Sequence, residues 1–160
     1  MYKKSVSIVM IFSIIICIAI PLIVGIISSF LTKDAQMSFN QMNKPPLSPP
    51  GWLFPIVWTI LYIVMGIASY LIMTSTDESK FYGIILYFSQ LVFNFMWSII
   101  FFRVHAYWFA AIWLALLIML IVALMVNTLK YSMPAMFMLL PYLLWCCFAM
   151  YLNIGIAVRN

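Results

Sequence analysis

Charge is what this sequence has least of. Its 160 residues carry eight Lys or Arg, three Asp or Glu and one His, so 7% is charged against 68% hydrophobic. Every charged residue, namely Lys3, Lys4, Lys33, Asp34, Lys44, Asp77, Glu78, Lys80, Arg103, Lys130 and Arg159, falls between long apolar runs. With no ionisable group inside a run there is no proton relay, gating charge or ion-coupling carboxylate, which argues against an ion-driven transporter. His105 is the single histidine. It follows the third apolar run and reads as a solvated loop residue rather than an axial haem ligand. No Ser-His-Asp, Cys-His or metal-ligand constellation is present, so neither a catalytic set nor a metal site is expected. Cys17, Cys146 and Cys147 all lie inside apolar runs, where cysteine is a small packing residue, and no disulfide framework is implied. The net charge of +5 is spread singly over short loops and gives no nucleic-acid footprint.

What is present is length without charge. The uncharged runs are Ser5–Thr32, Pro45–Thr76, Phe81–Phe102, Val104–Leu129 and Tyr131–Val158. A helix needs about 20 apolar residues to cross a hydrocarbon core roughly 30 Å thick, and all five runs reach that length. The alternation of a membrane β-barrel is absent. The fold class is therefore all-α: a single domain over residues 1–160, a polytopic membrane protein with a bundle of five transmembrane helices. The expected helices cover about residues 6–30, 52–74, 81–102, 106–129 and 134–157, with a proline-rich first loop over 32–50. The first run is too long for a signal-peptide core and lacks a small-x-small cleavage site, so it counts as the first helix. Pro21 and Pro141 should bend their helices, and Pro134 suits a first turn. Short loops predict that consecutive helices pack as antiparallel neighbours. Tyr107, Trp108 and Tyr131 are placed as interfacial anchors. The two faces carry equal numbers of basic residues, Lys3, Lys4, Lys80 and Lys130 against Lys33, Lys44, Arg103 and Arg159, so positive-inside counting does not orient the chain.

The most distinctive local pattern is Lys44-Pro45-Pro46-Leu47-Ser48-Pro49-Pro50-Gly51-Trp52, which runs directly into the second span. Prolines at Pro45, Pro46, Pro49 and Pro50 fix φ, remove donors and hold the backbone extended, as a stiff lid at the mouth of a membrane helix. Spacing of i, i+4, i+7 and i+11 then draws three stripes. Trp58, Tyr62, Met65 and Ser69 share a face of the second span. Gln90, Asn94, Trp97 and Phe101, with Ser98 beside them, share one on the third. Tyr142, Trp145 and Ala149 line up on the fifth and continue towards Asn153. Polar amides facing lipid are costly, so Gln90 and Asn94 should point inward. At 1.5 Å per residue Trp58 lies about 9 Å below the proline-loop surface, and Asn94 and Ala149 about 12 Å. Two readings stand. Such stripes are often packing, with amides as interhelical glue. Their agreement in depth favours an aromatic cavity suited to a planar, mostly apolar ligand, lined by Trp58, Tyr62, Gln90, Asn94, Trp97, Ser98, Tyr142, Trp145 and Ala149.

Three ordered motifs carry a resemblance. Pro49-Pro50-Gly51-Trp52…Trp58-Thr59-Ile60-Leu61-Tyr62…Met65-Gly66…Ser69-Tyr70-Leu71, then Gln90-Leu91-Val92-Phe93-Asn94-Phe95-Met96-Trp97-Ser98, then Pro141-Tyr142-Leu143-Leu144-Trp145 with Tyr151-Leu152-Asn153, together resemble the translocator protein family. This is the TspO/MBR group, also called tryptophan-rich sensory proteins or peripheral-type benzodiazepine receptors. The resemblance covers nearly the whole chain. It implies a membrane protein of tetrapyrrole handling, transport or stress signalling in a bacterial cell membrane, with no required cofactor and with a porphyrin (protoporphyrin IX or haem) as ligand. It further implies binding of isoquinoline carboxamide or benzodiazepine-like molecules, contact with membrane lipid, and a homodimer. The alternative it offers is enzyme-like: light- and oxygen-dependent protoporphyrin degradation with a photochemical role for Trp58 and Trp145. By motif position the ligand-lining residues would be Trp58, Tyr62, Asn94, Trp97, Ser98, Trp145 and Ala149. The chain departs from the family pattern in having Ser38-Phe39 where Trp-Tyr is frequent, and Leu47 where Trp is frequent.

Overall fold

In a computed structural model the backbone is described for residues 2–160, and side chains for residues 8–35 and 37–160. The side chains of Lys3 and Lys4, which entered the positive-inside count, lie outside the described residues. Among the described residues all regular structure is helical: α1 (Tyr2–Leu31), α2 (Ala35–Gln41), α3 (Leu53–Met73), α4 (Lys80–Phe102), α5 (Tyr107–Thr128) and α6 (Met133–Arg159). Five of these, all but α2, are long and apolar enough to cross a membrane. In lipid no water replaces a lost backbone partner, so uncharged runs of this length satisfy their amides internally as helices. The span limits fall close to those expected from the positions of the charges.

Local chemistry sets several ends. Ser132 accepts a hydrogen bond from the Ala135 amide at 3.4 Å and Pro134 sits in the first turn of α6, as expected. Asp77 accepts from the Ser79 amide at 2.7 Å in the turn before α4. The side-chain and backbone hydrogen bonds of Ser79 hold the Asp77 carboxyl below its ordinary range. α1 runs on through Pro21 and α6 through Pro141.

The helices form a closed ring of neighbours. α1 packs on α3, α3 on α6, α6 on α5 and α5 on α4, and α4 returns to touch α1. The expectation from short loops holds for α4 with α5 and for α5 with α6. It does not hold for α3 and α4, which are consecutive yet only lightly in contact. Trp58 and Tyr62 on α3 and Trp97 on α4 occupy the space between them, and α3 instead takes α1 and α6 as its main partners. Close approach of α1 and α3 depends on Gly66, where a Cβ would strike the Ile18 backbone.

Of the three expected anchors, Trp108 is exposed and faces outward. Tyr107 and Tyr131 turn onto the protein instead, because each ring or hydroxyl finds a partner there. Tyr107 packs edge-on against Phe101 at 5.3 Å, and the Tyr131 hydroxyl donates to Asn127 Oδ1 at 2.9 Å.

Candidate functional site

A cavity of about 340 Å³ opens beneath the first loop. Its walls come from three spans: Leu22, Gly25, Ile26, Ser28 and Ser29 on α1, with Thr32 and Lys33 just beyond its end, Phe54, Pro55, Trp58, Thr59 and Tyr62 on α3, and Trp97, Ser98 and Phe102 on α4. Ala35 and Phe39 of α2 close it from the loop side. Gly25 makes room for the floor of this space, since a Cβ there would collide with the Tyr62 ring.

The cap is a phenyl ring. Phe39 is only 2% exposed and sits edge-on against Phe54 at 4.8 Å, with the Lys44 ammonium 5.0 Å from its centroid. The proline stretch does a different job from the lid that its stiffness suggested. Asn43 and Asn160 exchange hydrogen bonds at 3.1 and 3.0 Å, and the Tyr151 hydroxyl donates to the Pro46 carbonyl at 2.6 Å. These bonds clamp the loop to the end of α6. Leu47 is 86% exposed, with φ of 64°, so it points away from the cavity.

Four of the nine residues singled out by helical spacing, Trp58, Tyr62, Trp97 and Ser98, line the cavity. Three more stand behind its wall in a buried hydrogen-bonded chain. The Tyr62 hydroxyl donates to Asn94 Oδ1 at 2.8 Å, Asn94 Nδ2 donates to the Tyr142 hydroxyl at 3.2 Å, and that hydroxyl donates to Gln90 Oε1 at 2.8 Å. The chain ties α3, α4 and α6 together in a region where an unpaired polar group is expensive. The remaining two, Trp145 and Ala149, lie on α6, outside the cavity lining. Trp145 packs edge-on against Phe54 at 5.8 Å and Ala149 is buried. Trp58 and Phe54 therefore stand between the cavity and α6: Trp58 meets Tyr142 edge-on at 6.2 Å and stacks on Tyr62 at 5.5 Å.

Donor inventory decides what the wall offers a guest. Trp97 Nε1 is engaged by Asn153 Oδ1 at 3.1 Å, and Asn153 in turn donates to the Tyr107 carbonyl at 2.8 Å. Trp97 thus presents its ring, while Ser98 contributes a hydroxyl. The Trp145 Nε1, Gln90 Nε2 and Tyr87 hydroxyl are buried without a partner among the described residues. Trp145 Nε1 and Gln90 Nε2 each leave about 1–3 kcal/mol of desolvation uncompensated. No group of three metal-ligating side chains occurs among the described residues. His105 lies in the exposed α4–α5 turn, its Nδ1 3.2 Å from the Tyr107 hydroxyl.

Helical spacing missed the α1 wall, Phe39, Phe54 and Phe102. The α1 signal was legible in one respect. Gly25, Ser28 and Ser29, with Thr32 just past the helix end, repeat small or hydroxyl side chains at helical intervals in an otherwise isoleucine-rich span.

Fold and site together define a polytopic α-helical membrane protein with an aromatic cavity in one half of the bilayer, capped by its first loop. The TspO/MBR family profile matches residues 17–159, and the chain belongs to that family. It is 38% identical to the tryptophan-rich protein TspO of Chlorobaculum tepidum, over 91% of this chain and 94% of that protein. It is 33% identical to the translocator protein of Ovis aries, over 79% of this chain and 76% of the relative. Identity to the tryptophan-rich sensory protein of Cereibacter sphaeroides is 30%, over 72% of each.

Proposed function

We propose that the protein binds a tetrapyrrole, protoporphyrin IX or haem, in the cavity beneath its first loop and acts in tetrapyrrole handling, transport or stress signalling. One observation carries the reading. Trp58, Tyr62, Trp97, Phe54 and Phe39 surround a single space whose interior polar groups are paired with one another or are hydroxyls, and whose one charged lining residue, Lys33, is exposed at its loop end. A flat, mostly apolar ring gains contact on both faces in such a space, whereas a small polar substrate would find few free donors. Isoquinoline carboxamide and benzodiazepine-like molecules are likewise aromatic and mostly apolar and should compete for it. Translocation and sensing are the roles in the relatives' names, and they come to this chain as proposals, together with a receptor role, a homodimer and a bacterial cell membrane as its setting.

A second reading, of a different class, is light- and oxygen-dependent breakdown of bound protoporphyrin. It is favoured by the position of Trp58, an oxidisable indole on the cavity wall in stacking contact with Tyr62. One experiment tests both. Purified protein is titrated with protoporphyrin in darkness and then illuminated. Saturable quenching of tryptophan emission supports binding, and loss of the porphyrin band only in light with oxygen supports the second reading. Non-saturable quenching rejects both.

A further inference from the structure

The aromatic cavity does not end at its cap. A second hollow of about 430 Å³ adjoins it at the membrane surface, and the two share Thr32, Lys33, Ala35 and Phe102. The outer hollow adds Arg103 and Asp34 to its rim, so two cations from different elements, the α1–α2 connection and the end of α4, converge there. Asp34 is the only Asp or Glu on this face of the membrane, because Asp77 and Glu78 lie in the α3–α4 turn on the opposite face. The rim therefore keeps a positive excess that its own residues do not neutralise.

The geometry points to a two-part site, in which the aromatic cavity takes the apolar ring of the ligand and Lys33 with Arg103 takes its carboxylates at the mouth. The inference rests on the tetrapyrrole reading above and adds to it how the ligand is held: with its acid groups towards the loop face, against Lys33 and Arg103. A guanidinium pairs a carboxylate through two parallel hydrogen bonds, and a lysine adds a point charge beside it. Both side chains are exposed, so the attraction is moderate and salt-sensitive. An acid group is also the one part of such a ligand that gains nothing from the cavity interior, where burying a charge among rings would be costly. Orientation follows from that difference.

The test compares protoporphyrin, which bears two propionic acids, with its dimethyl ester, which has the same ring and no charge. Protein is reconstituted in zwitterionic phosphatidylcholine nanodiscs, and Kd is read from tryptophan quenching at low and high KCl. Wild type should bind the diacid more weakly at high salt and the ester equally at both. Lys33→Gln with Arg103→Gln should weaken diacid binding at low salt by about five- to tenfold and abolish its salt dependence, with ester binding unchanged. Ester binding also reports that the variant is folded. Arg159→Gln, which removes one charge from the same face away from the mouth, should leave both ligands alone. Anionic phosphatidylglycerol discs should weaken the diacid selectively, because lipid headgroups then compete for the two cations. Equal loss of diacid and ester, no loss of either, or an equal effect of Arg159→Gln overturns the inference while leaving tetrapyrrole binding intact. Failure of wild type to bind either compound overturns both.

Discussion

The hydroxyl of Tyr62, on the cavity wall, donates a 2.8 Å hydrogen bond to Oδ1 of Asn94, in the core of the bundle. That bond fixes the ring that forms the inner end of the cavity. It also makes the position of Tyr62 depend on Tyr142 and Gln90, which share the same chain across α4 and α6. Cavity shape and bundle stability are therefore coupled through one amide.

Asn94→Leu should insert into the membrane normally, since an apolar side chain favours lipid. It leaves the Tyr62 hydroxyl without its acceptor and removes the donor to Tyr142. Stability should fall by about 0.5–2 kcal/mol, the range for interhelical hydrogen bonds in membranes. Ligand affinity should fall with it as Tyr62 loses its anchor. Tyr62→Phe keeps the ring and should show the stability loss with a smaller binding defect. Thermal unfolding in detergent alongside ligand titration checks both.

Gly25→Ala should close the cavity from the α1 side, because the added methyl meets the Tyr62 ring and that ring is held by Asn94. Ligand binding should drop about tenfold or more, a loss of roughly 1.4 kcal/mol. Ile23→Ala, on the exposed face of the same helix, should leave binding unchanged. Titration of the two variants side by side reads the difference.

Phe39→Ala removes the cap and its edge contact with Phe54. Ligand should then leave faster, with koff raised several-fold while association changes little. Leu47→Ala, exposed and outside the cavity, is the matched control in a stopped-flow dissociation experiment.

The light-driven reading makes an asymmetric prediction, because the two tryptophans are placed differently. Trp58 touches the cavity, while Trp145 stands behind Phe54. Trp58→Phe should slow illuminated porphyrin loss far more than it weakens dark binding, and Trp145→Phe should do much less. Absorbance followed under light with oxygen, and under light without it, tests the difference.

How far the sequence discloses this architecture depends on which physical signal each part carries. The five spans are plain because every charge sits in a connection or at a helix end. The walls from α3 and α4 are plain because Trp58 with Tyr62, and Asn94 with Trp97, follow helical spacing among otherwise aliphatic residues. The fifth-span stripe of Tyr142, Trp145 and Ala149 does face the bundle. Spacing does not reveal that Phe54 and Trp58 would stand in front of it. Neighbour order is likewise hidden. Loop length makes α3 and α4 adjacent in sequence, but the bulk of their rings sends α3 against α1 and α6. α2 has seven residues and no side-chain cap, so the segment reads as loop until its Phe39 is seen packed on Phe54. α1 hides its contribution because isoleucine on nearly every side masks the small-residue repeat that opens the cavity.

Whether a tetrapyrrole binds in the aromatic cavity is decided by one dark equilibrium titration. Protoporphyrin is added to wild type, Trp58→Ala and Trp108→Ala in the same detergent, and bound ligand is followed by its absorbance band. Wild type should bind saturably, Trp58→Ala should bind more weakly by about 1–2 kcal/mol (roughly five- to thirtyfold) through lost ring contact, and Trp108→Ala should be unchanged. Equal affinities in the two variants, or uptake that never saturates, would contradict binding in this cavity.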